Sequence, residues 1–384
     1  MHDPRILVFS AEFGNGHLRA AQALIESIYE VYPNAEIAHL DAVEMLNKKF
    51  NMVLKDIYLG MIKRTPKLWG GFYYGTASIP PDAGLNRLIN NVGQIKYIKC
   101  INAFQPDLII CTYPTVAGVM GRLRLKKILS VPVATVITDY TIHSQWIHAG
   151  TDLYIVGCED VRRGLVARGI DRERIKVTGI PVSNRFEDKL DRADLMAKKG
   201  LNPHQPVVLL MGGAYGVLDD IKEVCKMLKN SSLPCQTLVV CGRDEKLYAS
   251  LDVNTLQGGN PVYKYGFVNN VEELMTVADI IITKAGGLTV SEALTKGVPM
   301  IIYKPIPGQE EQNTSFLVRS GAGMAVESRL DLEKNLCELL ANPALLNKMK
   351  QAASTALPGQ AARRAVQYML QLTEETSLEE ARIG

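Results

Sequence analysis

No stretch of this chain approaches the roughly 20 consecutive apolar residues that a membrane-spanning helix needs, so no span is expected. Met1 to Arg5 leads straight into Ile6-Leu7-Val8-Phe9, too short an apolar run for a signal peptide, and the reading is of a cytosolic chain. The seven cysteines (Cys100, Cys111, Cys158, Cys225, Cys235, Cys241, Cys337) stand singly, without a Cys-x-x-Cys pair or a histidine at ligand spacing. That excludes a disulfide framework or zinc knuckle and reads them as reduced core residues. Low-complexity tracts are also missing, which argues for a folded chain throughout.

What is present is a chain of 384 residues, 47% hydrophobic and 22% charged, long enough for two domains. Its net charge of +3 is unevenly spread. Residues 1–180 carry an excess of five basic residues, concentrated in 46–99, where nine Lys and Arg face only Asp56 and Asp82. There Leu46, Phe50, Val53, Leu54, Ile57 and Met61 recur at helical spacing among Lys48, Lys49, Lys55, Lys63 and Arg64, followed by Trp69, Phe72, Tyr73 and Tyr74. Such a stripe either packs as core or lies on an anionic lipid surface, and the clustered aromatics favour the surface.

Elsewhere, short apolar runs alternate with helical patterns, as in a parallel α/β sheet. Ile6–Phe9 runs into Glu12-Phe13-Gly14-Asn15-Gly16-His17 and a helix over 19–29, with a second strand over 35–41. Gly14, Gly16 and Asp41 partly mimic a dinucleotide fingerprint, but Arg19 stands where the third glycine should allow close helix–strand packing. Further strands end at Thr112 and at Thr138-Asp139, with His143 and Trp146 downstream, placing these residues toward one crevice at the carboxyl ends of strands. The charged run 184–199 reads as a connector. A second βα set begins at Val207–Met211, followed by Gly212-Gly213 and, later, by Gly266-Phe267-Val268.

The densest stretch is 281–313. A buried strand ends at Thr283, Gly286-Gly287-Leu288-Thr289 forms a turn, and a helix over 290–295 is expected with Thr289 as its cap. The free N–H groups and positive dipole of such a helix start suit a diphosphate, and Glu292 one turn on can accept sugar hydroxyls. Gln309, Glu310 and Asn313 follow a Pro-Ile-Pro-Gly turn, beside the anion site. The segments 330–349 and 361–372 read as helices, and 373–384 as a frayed acidic tail.

Taken together, these motifs resemble the UDP-sugar-dependent diacylglycerol glycosyltransferases, the monogalactosyl- and processive glucosyl-diacylglycerol synthases. They are also similar to the peptidoglycan lipid-linked N-acetylglucosaminyltransferase. The resemblance covers residues from about 6 to 325. It implies a GT-B fold, an α/β arrangement of two Rossmann-like domains whose parallel sheets face across a cleft. Residues 1–184, rejoined by the helix 361–384, would hold the lipid acceptor, and 185–360 the UDP-sugar. Gly14, Asn15, Gly16, His143 and Trp146 correspond to the acceptor side. Gly212, Gly213, Phe267, Val268, Gly286, Gly287, Leu288, Thr289, Glu292, Gln309, Glu310 and Asn313 correspond to the donor side. His17 or Asp139 would be the base.

The implied reaction is inverting transfer of a hexose from a UDP-sugar to diacylglycerol or a glycosyl-diacylglycerol, on the cytoplasmic face of a membrane with anionic lipids as partners. No Asp-x-Asp triplet occurs, so helix dipoles rather than a metal would face the diphosphate. No cofactor and no nucleic acid are called for, the UDP-sugar being a substrate. Gly287-Leu288 stands where the galactosyltransferases often carry proline, which favours glucose over galactose. The rival readings are a UDP-N-acetylglucosamine transferase or epimerase of the same fold, and a non-catalytic UDP-sugar sensor.

Overall fold

A computed structural model describes residues 3–11, 15–42, 65–77, 94–212, 220–251 and 258–383. The chain divides into two compact units, Met1–Asn184 with Pro358–Gly384, and Arg185–Leu357.

The first unit is built on six parallel strands: β1 (Arg5–Ser10), β2 (Glu36–Asp41), β3 (Leu108–Cys111), β4 (Val133–Val136), β5 (Leu153–Val156) and β6 (Ile175–Val177). They lie in the order β2-β1-β3-β4-β5-β6, with Ile6 opposite Leu108 and Phe9 opposite Cys111. The central strands are continuous apolar runs because helices cover both faces, and the two-residue period of a strand sorts their side chains. Ile6, Val8, Leu108 and Ile110 pack with Ala21, Leu24 and Ile28 of the helix Gly16–Val31 and with Ala365, Val366 and Met369 of the helix Ala361–Ile383. Leu7, Phe9, Ile109 and Cys111 face Tyr97, Ile101, Val116, Ala117 and Met120 on the other side.

The second unit repeats the plan with β7 (Val207–Met211), β8 (Gln236–Val240), β9 (Val262–Tyr265), β10 (Ile280–Thr283), β11 (Met300–Tyr303) and β12 (Gly323–Val326). All pairings are parallel, in the order β12-β11-β10-β7-β8-β9. Its core joins Val208, Leu210, Ile280, Ile282 and Ile301 to Val224, Leu228, Leu332 and Leu336.

Each sheet has one place where chain order reverses, and ligands of open α/β sheets gather outside the strand ends there. In the first sheet that place lies between β1 and β3, in the second between β7 and β10. His17 and Thr112 follow β1 and β3, and Gly212 and Gly286 follow β7 and β10.

The run 184–199 contains the division between the units, after Asn184, and folds as a 3₁₀ turn (Asn184–Phe186) and a helix (Arg192–Lys198) in which Asp191 caps the N–H groups of Ala193 and Asp194. Other local expectations need correction. The segment 330–349 is not one helix: Arg329–Ala341 ends at Asn342, whose side chain accepts from the Leu345 N–H and opens Pro343–Thr355, with Pro343 at a position that needs no N–H. The tail is helical, since Ala361–Ile383 runs through it. Of the basic aromatic segment, the helix Pro66–Ala77 is described, whereas Leu46, Lys48, Lys49, Phe50, Val53, Leu54, Lys55, Ile57, Met61, Lys63 and Arg64 lie outside the described residues. Among the described residues no helix is long and apolar enough to cross a membrane.

Candidate functional site

In the first unit the site centres on His17, at the start of the helix Gly16–Val31. Asn15 precedes that helix in a left-handed conformation (φ 59°), which asparagine tolerates better than most side chains. Thr112, just past β3, donates from Oγ1 to the His17 carbonyl oxygen at 2.9 Å. Thr138, just past β4, holds the ring, its Oγ1 lying 2.9 Å from Nδ1. Tyr113 meets the imidazole edge-on at 5.2 Å between centroids, and the Trp146 ring lies 6.0 Å away. Burial among these groups lowers the His17 pKa to about 4, against a smaller opposing effect of a hydrogen bond to the Thr112 backbone. The imidazole is therefore neutral at pH 7, with a lone pair to offer.

Asp139 is buried; desolvation raises the pKa of Tyr73, and the charge of Asp139 adds to it. Tyr73 belongs to the helix Pro66–Ala77, and its ring stacks obliquely on His143 at 4.9 Å. The hydrogen bonds of His143 assign its proton. Nδ1 accepts from the Gln145 N–H at 3.2 Å, so the ring N–H is on Nε2, 3.2 Å from Thr76 Oγ1, which itself donates to the Tyr73 carbonyl. Both ring nitrogens are thus engaged within the protein. His143 clamps the helix Pro66–Ala77 to the turn Ser144–Trp146, a tie repeated by Ser144 Oγ donating to the Thr76 carbonyl at 2.9 Å. Trp146, in the same turn, is only 3% exposed. Gly14 lies outside the described residues, and a Cβ added at Gly16 would meet no described atom within 4 Å.

In the second unit the glycine turn behaves differently from expectation. The helix runs from Gly287 to Thr295 with Gly286 at its cap position, so Thr289 lies inside the first turn and is not the cap. Gly286 offers no side chain to cap the first N–H groups of this helix, and a helix start of that kind can accept an anion. The nearest described atom to a Cβ built on Gly286 would be Thr289 Oγ1 at 3.8 Å, leaving room for a ligand to approach the backbone. Leu288 and Glu292 are buried behind the turn.

Asn313 has no exposed surface, and its Nδ2 donates to the Ala285 carbonyl at 3.0 Å, bracing the turn from the helix Gln309–Arg319. Gly308 before that helix has φ 101°, a conformation glycine adopts readily. Gln309 is the first residue of the helix. Glu310 takes the Ile306 N–H on Oε2 at 3.2 Å; burial pushes its carboxyl pKa up, against the charge of Lys284. Phe267 is 48% exposed beyond β9 beneath the Arg243 guanidinium, 4.8 Å from its ring centre, a flat surface suited to a base. Val268 beside it is half-buried, Gly212 donates to the Val240 carbonyl at 3.4 Å, and Gly213 lies outside the described residues.

Residues 17–182 match the model of monogalactosyldiacylglycerol (MGDG) synthase, and residues 207–367 that of the glycosyltransferase family 28 C-terminal domain. The processive diacylglycerol beta-glucosyltransferase of Bacillus licheniformis is 32% identical over 347 residues, which cover 90% of this chain and 89% of that one. That of Bacillus subtilis is 32% identical over 348 residues, covering 90% of each. The chain belongs to the diacylglycerol glycosyltransferase family.

Among solved structures, Acinetobacter baumannii MurG superposes with a TM-score of 0.65 at 16% identity, over 96% of this chain and 99% of that one. The UDP-GlcNAc 2-epimerase of Neisseria meningitidis gives 0.58 at 14% identity, over 96% and 100%. These likenesses place the fold in the GT-B class, and the family makes the protein a glycosyltransferase. Tyr113 is a candidate-site residue that sequence reasoning passed over, Tyr73 was read only as part of the basic aromatic segment, and Thr112 and Thr138 were read as strand ends without their contacts to His17. The signal for the threonines was their position at the ends of β3 and β4, beside the reversal of strand order.

Proposed function

We propose that the protein transfers a hexose, glucose in preference to galactose, from a UDP-sugar to the free hydroxyl of diacylglycerol or of a glycosyl-diacylglycerol. His17 is the base: its ring takes the acceptor proton as the acceptor oxygen bonds to the anomeric carbon. The bond from that carbon to the diphosphate breaks and UDP leaves, so a single displacement turns an α-linked donor into a β-linked product. Asp139 supplies negative charge beside the acceptor site, and the start of the helix Gly287–Thr295 receives the diphosphate. Phe267 and Val268 are assigned to the uracil, Glu292 to the ribose, and Gln309 and Glu310 to the hexose. Asn313 acts by holding the glycine turn in place.

The observation that carries this reading is the neutral imidazole of His17 at the switch point of the first sheet, its ring held by Thr138 and its backbone carbonyl by Thr112. General base catalysis by such a group contributes roughly 10²–10⁴-fold. The relatives named as beta-glucosyltransferases support glucose and the lipid acceptor. Work at the cytoplasmic face, on anionic lipid, is part of the same proposal and rests on the basic aromatic segment. The deciding experiment incubates the protein with diacylglycerol vesicles and UDP-glucose, UDP-galactose or UDP-N-acetylglucosamine, and identifies products by mass spectrometry. Glucosyl-diacylglycerol is the expected product. Turnover of UDP-N-acetylglucosamine with no diacylglycerol product from either hexose would sink the reading.

A further inference from the structure

A neutral imidazole carries one N–H and one lone pair, and a base must present the lone pair to its substrate. In His17, Nδ1 is already engaged, 2.9 Å from Thr138 Oγ1. For the ring to take a proton from the acceptor hydroxyl, the other nitrogen, Nε2, has to be the unprotonated one, and the ring hydrogen bond to the Thr112 backbone then also belongs to Nδ1–H. We infer that Thr138 is a positioning residue for the transfer, its Oγ1 accepting the Nδ1–H of His17 and so holding Nε2 as the proton acceptor. The inference rests on the reading of His17 as the base and adds a specific tautomer and the residue that fixes it.

Thr138 is placed for the task. It is 4% exposed, so its hydroxyl does not trade partners with bulk water. It follows Ile137, whose N–H is tied to the Ile155 carbonyl at 2.9 Å, an anchor that fixes the backbone just past β4. Thr112 fixes the other end of the contact through the His17 carbonyl, so both the backbone and the ring of the histidine are held from neighbouring strand ends. His143 is an internal contrast: its Nδ1 accepts a backbone N–H, which puts its proton on Nε2. His17 and His143 should therefore carry their protons on opposite nitrogens.

The test uses the full chain labelled with ¹⁵N-histidine, whose six residues are few enough to resolve by long-range ¹H–¹⁵N correlation at pH 7.5. The His17 and His143 signals are assigned by their loss in His17→Gln and His143→Gln. The expected result is Nδ1–H for His17 and Nε2–H for His143. An Nε2–H tautomer at His17 in the unaltered protein overturns the inference without any variant having to fold.

Thr138→Val removes the acceptor. The His17 signals should then shift toward the other tautomer, and kcat should fall about 10- to 100-fold with the KM for the UDP-sugar unchanged. Thr138→Ser should restore both to within about threefold, while the other histidine signals report that the fold is kept. Unaltered tautomer and kcat in Thr138→Val, beside an inactive His17→Gln, would remove Thr138 from the mechanism and leave the base assignment standing. Full turnover in His17→Gln would instead remove the base assignment itself.

Discussion

Asn313 Nδ2 donates to the Ala285 carbonyl at 3.0 Å, joining the helix that follows β11 to the backbone just ahead of the glycine turn. Because the side chain is wholly buried, its influence on a bound nucleotide passes through the turn. Asn313→Ala strands a buried carbonyl, at a cost of about 1–3 kcal/mol. The expected outcome is UDP affinity lowered about five- to tenfold by calorimetry, with the melting temperature reduced. Unchanged UDP affinity would mean that the turn is positioned without this brace.

His17→Ala separates chemistry from donor binding, because His17 belongs to the first unit and the assigned donor residues to the second. Turnover should fall on the order of 10²- to 10⁴-fold, whereas the dissociation constant for UDP-glucose stays within about twofold. A sensor that binds UDP-sugar without transferring it would show no turnover to lose. Product counting by mass spectrometry alongside calorimetry distinguishes the two.

Mild acid should weaken the first unit. Burial lowers the pKa values of His17, His39 and His143, opposed at His39 by the charge of Asp41 and at the other two by hydrogen bonds to backbone. A folded pKa below the unfolded value near 6.5 means that the unfolded chain takes up protons first. The stability is therefore complete above about pH 6.5 and is lost as pH falls toward the folded values, about 4 for His17. Glu310, with its raised pKa, acts in the opposite sense in the second unit. Denaturant unfolding followed in the first unit should lose on the order of 1–3 kcal/mol between pH 7.5 and 5. His17→Asn should flatten that slope, and a pH-independent first-unit transition would contradict the burial argument.

What was legible in the sequence follows from which interactions are local. The strands around Ile6–Phe9 and Ile280–Thr283 are apolar runs bounded by turn residues, and a run of that kind has few other ways to be buried. The turn before the helix was readable from Gly286-Gly287 because adjacent glycines act through their own backbone. Its helix nevertheless starts at Gly287, since a helix end set by tertiary packing needs no side-chain cap. The thread from His17 to Thr138 spans 121 residues and that from Thr112 to His17 spans 95, and no periodicity carries such pairings. His143 illustrates the reverse case. Its position past a strand end suggested a ligand contact, yet both ring nitrogens serve Gln145 and Thr76, partners revealed only by the packing of the helix Pro66–Ala77.

That helix also bears on membrane contact. Lys67, Leu68, Gly71, Tyr74 and Gly75 lie on its solvent face, Leu68 being 67% and Tyr74 42% exposed, while Tyr73 and Thr76 turn inward toward His143. The period is helical, but the outward face is apolar with one lysine, the reverse of an ordinary surface helix. Insertion of the Leu68 side chain into lipid is worth about 1.5–3 kcal/mol, and a lysine near an anionic surface about 1 kcal/mol. Leu68→Glu should therefore reduce flotation with phosphatidylglycerol vesicles about tenfold or more, and Lys67→Glu less strongly. Raising salt from 0.05 to about 0.5 M shortens the Debye length and should erase the lysine effect while leaving much of the leucine effect. Turnover on detergent-dispersed diacylglycerol should stay within about twofold, because Leu68 faces away from the imidazole clamp. If both variants float like the unaltered protein, membrane contact falls to other residues or is absent, and the exposed leucine is an ordinary surface residue.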